Sequence, residues 1–228
     1  KWCSLKPLLQ MGTRKVIGLW GGIGSGKTTV CSALEGQPFR VDVINADQLG
    51  HAAYAPGEAA VDEIAAAFGS EVRAEDGGIN RRALGALVFG SEAKMKTLTD
   101  IVWPIIKQKA RQRIDELKAS PLQSDQGQLI ILEAAVLLEA SWDELVDEVW
   151  VTMVDEAIAK ERIMKRNKLD EDAATKRLSS QMSNEERLAK LKELHSLPHV
   201  VIWTNRELSS VENDVLSLAR KTLNLTLD

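Results

Sequence analysis

The sequence predicts an α/β fold, a parallel sheet carrying helices on both faces. Three observations predict it: five short, apolar, largely β-branched runs, helix-patterned segments between them, and a glycine-rich turn directly after the first run. Val16–Trp20 is the first run and stops abruptly at Gly21-Gly22, as a buried strand does. Lys27–Glu35 reads as the helix that follows, closed near Gly36 and Pro38. Val41–Ile44, Leu129–Leu132, Val149–Val154 and Val200–Trp203 supply the other four strands. Two stretches are too long and too helical for simple crossovers. Glu58–Ser120 holds Val61–Phe68, Arg81–Phe89 and a long segment around Leu98–Leu117 interrupted at Pro104, and reads as a helical insert between strands two and three. Glu156–Leu194 is a charged helical insert between strands four and five, with Asp170 and Ser183 as expected N-caps and Glu186 completing a capping box with Ser183. A short helix is expected over Ala134–Glu139.

Composition narrows the function. The 228 residues, 44% apolar and 27% charged, are enough for a core without staples and argue against wholesale disorder. Twenty-nine Lys+Arg against 33 Asp+Glu give a net charge of −4. No global basic field points to nucleic acid, so a polyanionic ligand needs a local basic site. No apolar run approaches the roughly 18 residues of a membrane span. Cys3 and Cys31 form neither a disulfide framework nor a metal-type spacing, which makes a reducing, cytoplasmic compartment the default. The chain begins at Lys1 and its first eleven residues do not pattern as a signal peptide, so a longer polypeptide upstream stays open.

The strongest local signal is Gly21-Gly22-Ile23-Gly24-Ser25-Gly26-Lys27-Thr28, a G-x-x-x-x-G-K-[ST] match between a strand and a helix. Glycines allow a backbone close enough to wrap a phosphate, and successive amides then point inward as an anion nest at a helix start. Lys27 reaches the β- and γ-phosphates and the Thr28 hydroxyl ligates Mg²⁺, with Thr29 following in the same helix start. Two short patterns resemble a GTPase, Asn167-Lys168-Leu169-Asp170 and Asp47-Gln48-Leu49-Gly50. The first follows an amphipathic helix rather than a buried strand, and the second begins nineteen residues after Thr28, too soon for a switch loop and another strand.

Asp47 lies just past the second strand, at the sheet edge where α/β ligands bind, and suits the acceptance of a proton from an attacking hydroxyl. Helix capping is its other reading. Glu133 ends the third strand and is a candidate Mg²⁺ contact or a surface carboxylate. Arg162 and Arg166, at i and i+4, project from one face of the charged insert and suit neutralisation of a transferring phosphoryl group, or else are solvated. His51, His195 and His199 read as structural, Trp103, Trp142, Trp150 and Trp203 as packing, and Cys31 as a small apolar residue.

Over nearly all of residues 15–215 the chain resembles the dephospho-CoA kinases. The cues are Gly18–Thr28, Ile44-Asn45-Ala46-Asp47, Ile79-Asn80-Arg81 with Leu84 and Val88-Phe89, Leu98–Ile105 with Trp103-Pro104, Ala134–Glu139 and Gln181-Met182-Ser183. His51–Gly57, Thr99–Ile106 and Leu137–Trp142 look most like the kinase domain of animal bifunctional CoA synthases. The resemblance implies a P-loop three-layer α/β/α core of nucleoside-monophosphate-kinase type, with core segments 15–55, 121–155 and 196–228, a CoA-binding helical insert 56–120, a lid 156–195 and an N-terminal extension 1–14. It implies transfer of phosphate from ATP, with Mg²⁺, to the ribose 3′-hydroxyl of dephospho-CoA, giving CoA and ADP. It assigns Asp47 as general base and residues 21–29 to the ATP phosphates. Arg162 and Arg166 become lid arginines, Arg81 a substrate contact, and Asn205 a residue of the adenine-side loop. It also leaves open a fused or upstream adenylyltransferase domain and a mitochondrial association. Four departures stand out: Asn45 for the first Asp of an Asp-x-Asp pattern, Trp20 for the common Thr, Trp103 for His, and Glu133 where Asp is frequent. The alternatives are another small-molecule kinase on the same scaffold and a catalytically silent nucleotide-binding module.

Overall fold

Residues 13–122 and 126–225 are described by the computed structural model; Cys3 and almost all of the expected extension lie outside them. The five strands are β1 (Arg14–Trp20), β2 (Arg40–Asn45), β3 (Gln128–Ala134), β4 (Glu148–Met153) and β5 (His199–Trp203). They form a parallel sheet in the order β2-β3-β1-β4-β5. β1 lies at its centre, with Ile17 opposite Ile131 of β3 and Glu148 of β4. Being covered on both faces, β1 and β3 read as continuous apolar runs, and Val16 to Trp20 and Leu129 to Leu132 are all buried.

The chain divides into two compact units. The larger comprises the residues up to Ile44 together with Glu116 onward, and contains the sheet. On one sheet face, Ile17, Leu19, Leu129, Ile131 and Trp150 pack with helices α1 (Lys27–Ala33) and α9 (Leu208–Thr222). Val211, Val215 and Ala219 recur every four residues and supply the buried stripe of α9. Three helices lie between β4 and β5: α6 (Glu156–Asn167), α7 (Glu171–Ser179) and α8 (Asn184–Lys192). Asp170 caps α7 by accepting from the Ala173 amide, and the Ser183–Glu186 capping box opens α8, as expected.

The smaller unit, Asn45–Asp115, holds α2 (Ala46–Ala53), α3 (Ala59–Phe68), α4 (Arg81–Val88) and most of α5 (Glu92–Ala119). Asn80 caps α4 by accepting from the Ala83 amide. Pro104 does not interrupt α5, contrary to the sequence expectation. The missing N–H and ring clash cost about 3 kcal/mol, but Leu98, Val102, Ile106, Ala110 and Ile114 make a buried stripe that runs past the proline on both sides. The second difference is at Ala134–Glu139. β3 extends through Ala134, and residues 135–141 form successive turns ending at Ser141, φ 53°. The Trp142 amide bonds to the Leu137 carbonyl, a five-residue span that closes the segment before a helix can propagate. Among the described residues no helix is long and apolar enough to cross a membrane.

Candidate active site

The glycine loop runs from the end of β1 to the start of α1, and its shape follows from its residues. Gly26 is the N-cap of α1 with φ 93°, a left-handed conformation that costs a β-carbon but not glycine. A side chain there would also strike Thr204, whose Cγ2 lies 2.9 Å from the position of a Cβ. The Lys27 ammonium donates to the carbonyls of Gly21 at 2.9 Å and Gly22 at 3.3 Å, arching over its own loop.

Polar groups from three elements brace the loop from behind. The Ser25 and Thr152 hydroxyls lie 2.6 Å apart, both buried. The Thr204 hydroxyl, just past β5, donates to the Ser25 carbonyl at 2.9 Å and accepts from Arg162 Nη1 at 3.0 Å. Arg162, in α6, also reaches the Gly24 carbonyl at 3.1 Å through Nη1 and the Thr204 carbonyl at 2.6 Å through Nη2. One buried hydroxyl therefore ties the loop, β5 and α6 together. Thr204→Val keeps the shape and removes the hydroxyl. It is expected to destabilise the fold by ~1–3 kcal/mol, read by urea denaturation as a lower midpoint at unchanged slope.

The segment from α7 to α8 meets the front of the loop. Gln181 Oε1 accepts from the Ile23 amide at 2.8 Å. Arg187, in α8, is only 6% exposed, and a Cβ placed on Gly22 would lie 2.8 Å from its Nη2. Only glycine at position 22 lets the guanidinium come that close to the loop. The guanidinium carbon sits 5.9 Å from the Trp20 ring centroid, within cation–π range. Trp20 Nε1 in turn donates to Glu139 Oε2 at 3.0 Å. Burial pushes the Glu139 carboxyl above its ordinary range, against the pull of its hydrogen bonds and of the Arg187 and Lys190 charges. Burial likewise lowers the proton affinity of Arg187, which the Glu139 and Glu186 carboxylates partly restore. A pocket of about 520 Å³ opens here, lined among others by Gly22, Ile23, Ser25, Asp155, Arg187 and Trp203. Its volume suits a ligand of nucleotide size.

Of the residues singled out by sequence, Gly21 to Thr28 and Arg162 come together as described, and Thr29 is half-buried within α1. Thr28 is exposed in the first turn of α1. Glu133 lies within β3, opposite Leu19, rather than at its end, and is half-buried. It shares the strand face of Leu129 and Ile131, which pack with α1, and its charge is felt at Cys31 of that helix. Burial first, then Glu133, pushes the Cys31 thiol up to about 12, and this residue is a packing group as expected. Arg166 is exposed and donates from Nε to its neighbour Asn167 at 3.0 Å. Asn205 Nδ2 donates to Asp155 Oδ2 at 3.0 Å, joining the turns after β5 and β4. Trp142 and Trp150 are core, but Trp203 is 38% exposed and lines the pocket, which corrects its reading as packing.

In the smaller unit, Asn45 is the N-cap of α2, accepting from the Gln48 amide at 3.1 Å. Asp47 is therefore not the cap; it stands exposed in the first turn of α2. Arg81, first residue of α4, places Nη2 2.8 Å from His51 Nε2. Sequence reasoning missed Thr152, Thr204 and Arg187, and held Gln181 only as part of a family cue without a role. Thr152 had left a signal, a lone hydroxyl inside an apolar strand. Arg187 had left none beyond its place after the capping box.

A model of the dephospho-CoA kinase family matches residues 15–194. The dephospho-CoA kinase of Geobacter sulfurreducens is 41% identical over 175 residues, 77% of this chain and 85% of that one. That of Carboxydothermus hydrogenoformans is 34% identical over 206 residues, 90% and 93% of the two chains. Among solved structures, a protein of Thermus thermophilus superposes with a TM-score of 0.68 at 25% identity, covering 92% of this chain and 98% of its own. The dephospho-CoA kinase of Campylobacter jejuni shares the fold with a TM-score of 0.63 at 21% identity, covering 93% and 98%. With its glycine loop intact and braced, the chain belongs to the dephospho-CoA kinase family.

Proposed function

We propose that this kinase moves the γ-phosphoryl group of ATP to the ribose 3′-hydroxyl of dephospho-CoA, yielding CoA and ADP. The observation that carries the reading is the braced loop 21–28, with Lys27 arched over it, in a chain of this family. In this reading the loop amides and Lys27 hold the nucleotide phosphates, and Asp47 accepts the proton of the attacking hydroxyl. Arg162 braces the loop, Arg166 and Asn205 border the nucleotide, and Arg81 meets the second substrate from the helical insert.

No group of three or more His, Cys, Asp or Glu placed to hold a metal ion occurs among the described residues. Mg²⁺ in phosphate sites keeps several waters and takes one or two protein oxygens besides the phosphates. Thr28, in the first turn of α1, and Glu133, on the strand face turned to that helix, fit that sparse donor set. Bound there, Mg²⁺ would neutralise charge on the β- and γ-phosphate oxygens.

The test is ADP release with and without dephospho-CoA. Release that depends on dephospho-CoA, with CoA as product, supports the reading. Equal release without it, or turnover only with another alcohol, overturns it in favour of a different acceptor, and no release at all favours a silent nucleotide-binding module.

A further inference from the structure

We infer that Arg187 is a further catalytic residue, its guanidinium donating to the terminal phosphoryl group of the nucleotide held by the glycine loop. The inference rests on the kinase reading above and adds a residue to it. The arginines that the sequence pattern suggested for this task are placed otherwise. Arg162 spends its donors on the Gly24 carbonyl and on Thr204, so it serves as a brace. Arg166 is exposed and bonded to Asn167 beside it.

Arg187 has what those two lack. It is 94% buried, yet its Nε finds no hydrogen-bond partner among the described residues, an arrangement that proteins seldom leave without a use. It lines the pocket and lies against Gly22, so its free donor capacity sits at the mouth of the phosphate cradle. It is also held in place: the Trp20 ring covers it, and Glu139, itself tied to Trp20 Nε1, supplies an opposite charge. A desolvated cation fixed in advance stabilises charge far better than a solvated one. In the transfer, the bond from the γ-phosphorus to the β,γ-bridging oxygen breaks, and a bond to the acceptor oxygen forms. The acceptor proton leaves to the base, and Arg187 stays protonated throughout, stabilising the equatorial oxygens.

Two variants, Arg187→Ala and Arg187→Lys, test this against a purely structural cation–π contact. A phosphoryl-stabilising guanidinium predicts that Arg187→Ala lowers kcat by about 10³-fold. It also predicts weaker ATP binding with ADP binding unchanged, and partial rescue of the rate by added guanidinium ion. Arg187→Lys keeps a cation over Trp20 but loses the planar fork, and is expected to remain strongly impaired. The proposal is overturned if a folded variant keeps the wild-type kcat and ATP-over-ADP preference while its melting temperature falls. Should the alanine variant fail to fold, wild-type kcat in Arg187→Lys overturns it equally. The ATP-over-ADP comparison needs no acceptor, so it judges Arg187 even if wild-type ADP release proves independent of dephospho-CoA, a result that would sink only the acceptor reading.

Discussion

Asp47→Asn is expected to lower kcat by ~10²–10⁴, the range for loss of a general base, while ATP affinity and melting temperature stay near wild type. The separation follows from the structure of α2. Asn45 already caps that helix through the Gln48 amide, so an amide at 47 removes a proton acceptor without unmaking the cap. Asp47 is also exposed, and the isosteric change leaves no buried group unpaired. Steady-state rates with dephospho-CoA and calorimetric titration with ATP read the two effects apart. A kcat within a few-fold of wild type would remove Asp47 from the chemistry.

Lys27→Ala is the second large effect, with kcat/KM falling by roughly 10²–10³, the cost of removing one preorganised donor to developing charge. Lys27 donates to two carbonyls of its own loop, so its loss is expected to loosen the cradle as well as discharge it. ATP affinity should fall with the rate, in contrast to Asp47→Asn. The Ser25, Thr152 and Thr204 bonds lie behind the loop and do not involve Lys27, so the circular dichroism spectrum should be retained. If ATP binding were unchanged, the lysine would act on the transition state alone.

Much of the fold was legible because its signals are local. A β-branched run buried on both faces, an N-cap such as Asp170, and the capping box of Ser183 and Glu186 each depend on a few adjacent residues. The family resemblance was legible for the same reason, in short motifs. Pro104 misled because a proline's cost is local, whereas the burial stripe that overrides it spans several turns of α5. Ala134–Glu139 misled because its apolar content fits a helix, while the extra residue pairing β3 with β1 and the Trp142–Leu137 bond decide otherwise. At the site, the loop residues 21–28 were readable in full. Their supports were not: Thr204 lies 179 residues from Ser25, and Arg162 138 residues from Gly24, so no window of sequence holds both partners. Arg187 hid for a further reason, since a basic residue in a helix with a polar composition reads as solvated until Trp20 and Gly22 are seen beneath it.

The thiol of Cys31 sits in α1, one turn past Thr28 of the phosphate-binding turn, where a modified sulfur would disturb a nucleotide enzyme. Raised to about 12, it carries almost no thiolate at neutral pH. Peroxide, alkylating agents and mixed-disulfide formation all draw on that anion, so this thiol is expected to react slowly with each of them.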